Sequence, residues 1–205
     1  MSITDGLITL TEFQSFTTYH TTGPDQVAQA EQSIEAASRA VERYCGRQFH
    51  PDTVSSARVF DPADAHRVHV DDLRSVTSLK TDDDQDGVYE RTWTTAQYQL
   101  LPAGGRTITL GPVPYTEIAT VAGNWFLMNR WRSGLIEVTA LWGWAAAPTP
   151  VKRATALMAL DFLKGPETTF GAAPVGDFVT RIRIHPHVVQ LLAPYVRAEI
   201  TVGIA

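Results

Sequence analysis

The sequence predicts an α+β fold: a helical core of two long amphipathic helices plus short helices, with an antiparallel β subdomain inserted between them. Three observations carry that prediction. An amphipathic period runs from Pro24 to Cys45, in QVAQAEQSIEAASRAVERYC, and a second from about Thr149 to Lys164, in TPVKRATALMALDFLK. Between them lie about a hundred residues of short, alternating, turn-punctuated segments rich in Val, Thr and aromatics, the signature of strands. Neither helix can bury its stripe alone, so the two are expected to pack together across the insertion.

Each element has a local cause. Thr9 and Glu12 read as a capping box, so a short helix follows through Phe13 and Phe16 and stops near Tyr19. HTTG breaks the chain, and Pro24 suits the first position of the next helix. There the apolar set Val27, Ala30, Ile34, Ala37, Val41 and Tyr44 is spaced 3, 4, 3, 4 and 3 residues apart, a narrow coiled-coil-like stripe. Glu35 and Arg39 form a favourable pair one turn apart, and Gly46 suits the terminating position.

Strands are expected at 56–60, 67–70, 75–81, 88–93, 98–101, 115–123 and 134–144, with the acidic turn 82–87 and the glycine turn 102–106 between them. The second long helix is expected to bury Val151, Ala154, Leu157, Met158 and Asp161 or Phe162, and to stop at Gly165-Pro166. Residues 166–178 have no period and read as a loop. FVTRIRI (178–184) alternates like an extended arm, and HPHVVQLLAPY (185–195) reads as a short helix. No linker divides the chain, so 1–205 reads as one domain, with 1–50 and 148–205 helical and 51–147 the β-rich insertion.

Composition narrows the function. A hydrophobic content of 44% and a charged content of 19% are those of a folded globular chain. A net charge of −5 argues against wrapping nucleic acid, which needs a basic surplus. The single cysteine, Cys45, excludes an intrachain disulfide and reads as a small buried hydrophobe. The N-terminus has neither a basic nor an apolar leader region, and no apolar run spans a bilayer, so synthesis in a reducing cytoplasm and no membrane association are expected.

Candidate chemistry is sparse. Asp82, Asp84, Asp86 and Gly87 match the first half of a calcium loop, but Trp93 stands where the bidentate glutamate belongs and no helices flank it. An acidic hairpin turn is the preferred reading, with a weak calcium site the alternative. His66 with His69, and His185 with His187, lack a third ligand. No nucleophile elbow, phosphate loop or dinucleotide fingerprint occurs, so no catalytic, cofactor or metal residue is assigned. NWFLMNRW (124–131) looks like an exposed apolar loop. That makes Trp125, Phe126, Leu127 and Trp131 interface candidates, joined by Arg181, Arg183, Val188, Leu191, Leu192 and Tyr195 of the C-terminal arm.

In order, IEAASRAVERYCGRQFHP, RVFDP, VDDLRSVTSLKTDDDQDGVYE, YQLLP, VTALWGWAAAPTPVKRATALMAL and RIRIHPHVVQLLAPY resemble the head-to-tail connector (adaptor) proteins of tailed bacteriophages, in the long form of actinobacterial phages. The likeness spans nearly the whole chain, although NWFLMNRW is longer than the family pattern. It implies a structural virion protein of the neck with no enzymatic activity. It also implies a ring of about twelve copies under the portal protein, with a stopper or tail-completion protein below and the genome passing through the lumen without specific binding. Two other classes stay open from the residues: a calcium-stabilised carbohydrate-binding or adhesion module using the Trp-rich stretch, and a small hydrolase with paired carboxylates.

Overall fold

The computed structural model describes residues 6–107, 110–121, 123–128, 132–164 and 186–197. The chain forms two compact units. One takes its described residues from Met1–His50 and Ala147–Ala198 and is helical; the other takes them from Pro51–Ala146 and is built on a sheet.

In the helical unit, α1 (Leu10–Phe16) starts at the expected capping box. Thr9 Oγ1 accepts from Glu12 N–H at 3.1 Å, and Glu12 Oε2 accepts from Thr9 N–H at 2.9 Å. It stops short of Tyr19 because Thr17 turns extended while its N–H and hydroxyl both donate to Phe13 O. Helix α2 (Pro24–Cys45) ends at Gly46, whose φ of 60° lies in the left-handed region that glycine enters without strain.

Helix α2 packs against α3 (Thr149–Lys164). Ala30, Ile34, Ala37 and Val41 are fully buried, as are Val151, Ala154, Ala156 and Ala159. The alanines let the backbones approach closely, and Ile34, Val41 and Val151 are the larger fully buried side chains, each burial giving about 1.5–3 kcal/mol. Cys45 is buried as expected, and both stripes are wider than the spacing predicts. Ser38 is also buried in α2, whereas Tyr44 is only half-buried. In α3, Thr155 goes inside while Asp161 and Phe162 face solvent, because the inner face follows 151, 154–156 and 158–159. Ser38 and Thr155 enter the core without penalty by bonding within their own helices: their hydroxyls donate to Ile34 O at 2.7 Å and Val151 O at 2.9 Å.

Helix α4 (Pro186–Leu192) and a 3₁₀ turn (Ala193–Tyr195) also belong to this unit. Helix α4 packs on α3, with Val188 and Leu192 fully buried. The Tyr195 ring meets Phe49 edge-on at 6.2 Å, and Arg197 N–H donates to Cys45 O at 2.8 Å. Residues 186–195, expected as part of a C-terminal arm, instead pack into the helical core.

The sheet unit contains β1 (Ser56–Phe60), β2 (Pro62–Asp64), β3 (Arg67–Thr81), β4 (Arg91–Thr92), β5 (Tyr98–Leu101), β6 (Arg106–Thr107), β7 (Gly111–Pro112), β8 (Tyr115–Thr120) and β9 (Ile136–Trp142). Its main sheet is antiparallel in the order β1-β9-β3-β8-β5, with β2 and β4 also on β3; β6 and β7 pair separately. The two predicted strands 67–70 and 75–81 are one, and 88–93 pairs only at Arg91–Thr92.

Strand β3 bends, and simple reach requires it. Phe60 and Thr81 both pair with Ile136, two strand spacings or about 10 Å apart. Arg67 follows Phe60 by seven residues, a reach of at most about 25 Å. A straight strand from Arg67 to Thr81 would span about 46 Å. Register shifts between Leu73 and Ser75 and between Val76 and Ser78 absorb the difference, as bulges do. The bend wraps the sheet around Val68, Leu79, Trp93, Ile118, Phe126 and Trp142. Strand β9 shows the period of two directly: Ile136, Val138, Ala140 and Trp142 are buried and the residues between them are not.

Candidate assembly surface

The loop 123–128 is firmly held and divides its apolar side chains between inside and outside. Phe126 is buried against Trp93, the ring centroids 4.9 Å apart, and its N–H donates to Ala65 O at 2.8 Å. Asn124 donates to Val121 O through both its backbone and its side chain, and its Oδ1 accepts from Gln97 Nε2 at 3.2 Å. With Phe126 as the anchor, Trp125 stands out at 62% exposure and Met128 at 52%, with Val121 exposed and Leu127 half-buried beside them. Phe126 is therefore corrected from an interface candidate to a core residue. The alternating pattern W-F sends the second ring in because Trp93 and Ile118 leave an apolar hole there.

Of the other candidates, Trp131, Arg181 and Arg183 lie outside the described residues. Val188, Leu192 and Tyr195 are buried in the helical unit, and Leu191 is half-buried. As placed, the three buried side chains are covered by their own chain and offer no surface to a partner.

The acidic turn is organised by one residue. Asp82 is 1% exposed; its Oδ1 accepts from Gln85 N–H at 2.6 Å and Asp86 N–H at 3.1 Å, and its Oδ2 from Gly87 N–H at 2.9 Å. Arg132 lies 3.7 Å from Oδ2. Oxygens of Asp82, Asp84 and Asp86 approach within 4.8 Å of one another, a spacing that could hold a cation. However, both Asp82 oxygens already accept backbone hydrogens, and the exposed Asp84 and Asp86 cap N–H groups two residues on. The donor set fits a self-capped turn better than a metal loop.

Among the described residues, His66 and His69 each have their own partner, and His185 lies outside them. His66 Nδ1 lies 3.0 Å from Thr120 Oγ1, and His69 Nδ1 lies 3.8 Å from Glu117. Burial pushes the Cys45 thiol up to about 12, so it is no nucleophile. Among the described residues, no helix is long and apolar enough to cross a membrane.

One feature of the sheet unit escaped the sequence: an open cleft of about 430 Å3 lined by Leu73, Arg74, Gly104, Gly105, Pro112, Val113, Pro114, Tyr115, Trp144, Ala145 and Ala146. The glycines and prolines signal turns, and nothing in their spacing says that four separate stretches of chain meet. Gly105 has φ 61°, and a β-carbon there would sit 3.3 Å from Val113 O, so the floor of the cleft requires glycine. Arg74 is fixed in its wall, donating to Trp142 O at 3.3 Å and to Asp52 O. Trp144 donates to buried Asp72 at 3.2 Å.

No protein-family model matches the sequence, and no curated protein does either. Solved structures do. A chain from the neck of an empty gene transfer agent particle, computed with C6 symmetry, is similar with a TM-score of 0.59 at 15% identity, covering 99% of this chain and 96% of that one. A chain from the virion of the native gene transfer agent particle has a TM-score of 0.54 at 18% identity, covering 96% and 93%. At these identities the likeness establishes the fold, and it does so along almost the full length of both chains.

Proposed function

We propose that this chain is a structural neck protein of a tailed, phage-like particle: a head-to-tail connector that forms a ring under the portal, joins capsid to tail and continues the DNA channel. The carrying observation is the likeness in fold, over nearly the whole of both chains, to a chain of a particle neck with C6 symmetry. That symmetry fits a ring whose copy number is a multiple of six, including the twelve that the sequence resemblance implies. The order of motifs in the sequence points to the same class independently. Carbohydrate binding with calcium finds less support, because Asp82 is saturated by backbone donors and Phe126 and Trp142 are core residues.

The portal is the proposed partner above the ring, and a stopper or tail-completion protein the partner below. A net charge of −5 suits a lumen through which DNA passes without sticking. Electron microscopy of the protein mixed with the portal of the same particle tests the reading. Rings stacked coaxially on portals are expected. A protein that stays monomeric and leaves portals bare at tens of micromolar overturns it.

A further inference from the structure

We propose that adjacent copies in the ring are joined by Trp125 of one copy entering the cleft between Tyr115, Trp144 and Arg74 of the next. This rests on the ring reading above and assigns its subunit contact.

Two independent features of the same sheet unit make the match. The first is a knob. Trp125 is the most exposed large aromatic side chain among the described residues, at 62%, yet its backbone is fixed by the buried Phe126 and the Asn124 bonds. An exposed indole on a rigid loop loses little entropy on docking, which is what a binding hot spot requires. Met128 and Val121 beside it extend the apolar contact.

The second is a hole. The cleft of about 430 Å3 takes one indole with room for part of Met128, and its lining is mostly apolar. Its single charged group suits an aromatic guest. Arg74 is held by two backbone carbonyls, which orients a planar guanidinium whose face can stack on an incoming ring. The apolar walls with one stacked guanidinium favour a flat aromatic guest over a lysine or arginine.

Knob and hole are different patches of one surface, so the contact is heterologous. Repeated head to tail it closes into a ring when the rotation per copy divides a full turn, as in the C6-symmetric neck that resembles this chain. A second copy is therefore the occupant, in preference to a different protein.

Thiol cross-linking tests the contact against a silent background, because the only native cysteine, Cys45, is fully buried. Cysteines at Met128 and Ala145 leave Trp125 in place and flank the two halves. The Met128→Cys/Ala145→Cys protein treated with a short bis-maleimide should give a ladder of covalent oligomers. Mixed single variants should give dimers and nothing larger. Adding Trp125→Ala should cut the ladder at least about tenfold while leaving the melting temperature unchanged, since the indole is solvent-exposed. Ala145→Trp, which fills the hole instead, should do the same to ring formation. Rings visible by electron microscopy that yield no ladder, or a ladder indifferent to Trp125→Ala, overturn the contact and leave the ring standing. A wild-type protein that forms no ring alone or on the portal removes the ring reading and the contact with it.

Discussion

Lys152 donates to Glu12 across 140 residues of sequence, Nζ to Oε1 at 2.6 Å, while the other oxygen of Glu12 accepts the N–H of Thr9. One carboxylate thus caps α1 and ties it to α3. The bond from Lys152, ahead of the bonds to Thr9, holds the Glu12 pKa below the ordinary carboxylate value. A depressed folded-state pKa contributes stability that is present above the unfolded value and is lost as pH falls through the folded one. Glu12→Gln should therefore lower the unfolding free energy at neutral pH by less than about 1 kcal/mol, because the pair is about one-third exposed. The gap between variant and parent should narrow as pH falls below the unfolded carboxylate value of about 4.3 and close once pH is below the lowered folded-state pKa. A gap of the same size at every pH from 7 down to acid unfolding would show that the carboxylate charge is irrelevant there.

The acidic turn should respond unequally to loss of its three acids. Asp84→Asn with Asp86→Asn touches exposed groups that cap single N–H groups, and asparagine can still accept those bonds. Its effect should stay within about 0.5 kcal/mol by denaturant unfolding. Asp82→Ala strands three backbone donors beside Arg132 and should cost about 2–4 kcal/mol. Equal costs for the two variants, or a calcium-dependent rise in the parent's melting temperature that the double variant lacks, would return the loop to metal binding.

Ile34 sits in the seam between α2 and α3 with no exposed surface. Ile34→Ala should shift the urea midpoint by the equivalent of about 2–5 kcal/mol with the slope unchanged. A shift under 0.5 kcal/mol, which is roughly surface-like, would contradict the packing.

Leu192 tests the corrected role of the C-terminal helix. Leu192→Ala should destabilise the isolated monomer by about 2–5 kcal/mol, because the side chain is fully buried against its own chain. A variant of normal stability that fails only in binding the portal would restore the partner-binding role to residues 186–195.

The long elements were readable because their signals are local. The capping box at Thr9 and Glu12 fixes the start of α1, and Pro24 at the first helical position and Gly46 at the end fix both ends of α2. The same holds for 56–60 and 98–101, where alternation is bounded by turn residues. What pattern does not encode is which of two adjacent apolar rings goes inside. Trp125 and Phe126 read alike until Trp93, thirty-three residues earlier, is known to leave a hole for one of them. The join of 67–70 to 75–81 is hidden by the charged run Asp71-Asp72, since Asp72 is buried and bonded there by Trp144, distant in sequence. The cleft was invisible for the same reason: its wall residues come from four separate stretches.

The interrupted helical unit has a consequence for synthesis. Helix α2 is complete at Cys45, but α3, the surface that covers its apolar stripe, begins only at Thr149. A ribosome adding about 5–20 residues per second takes roughly 5–20 s to supply that stretch. Throughout that time Ile34, Val41 and Cys45 have no α3 to meet. In a cell filling with identical nascent chains, that interval is open to α3 donated by a neighbour, which would yield a domain-swapped dimer in place of the self-closed chain. The sheet unit, encoded whole between the two helices, can close its own core first. The order of assembly is thus written into the order of the chain: the inserted part matures early, and the part that encloses it in sequence matures last.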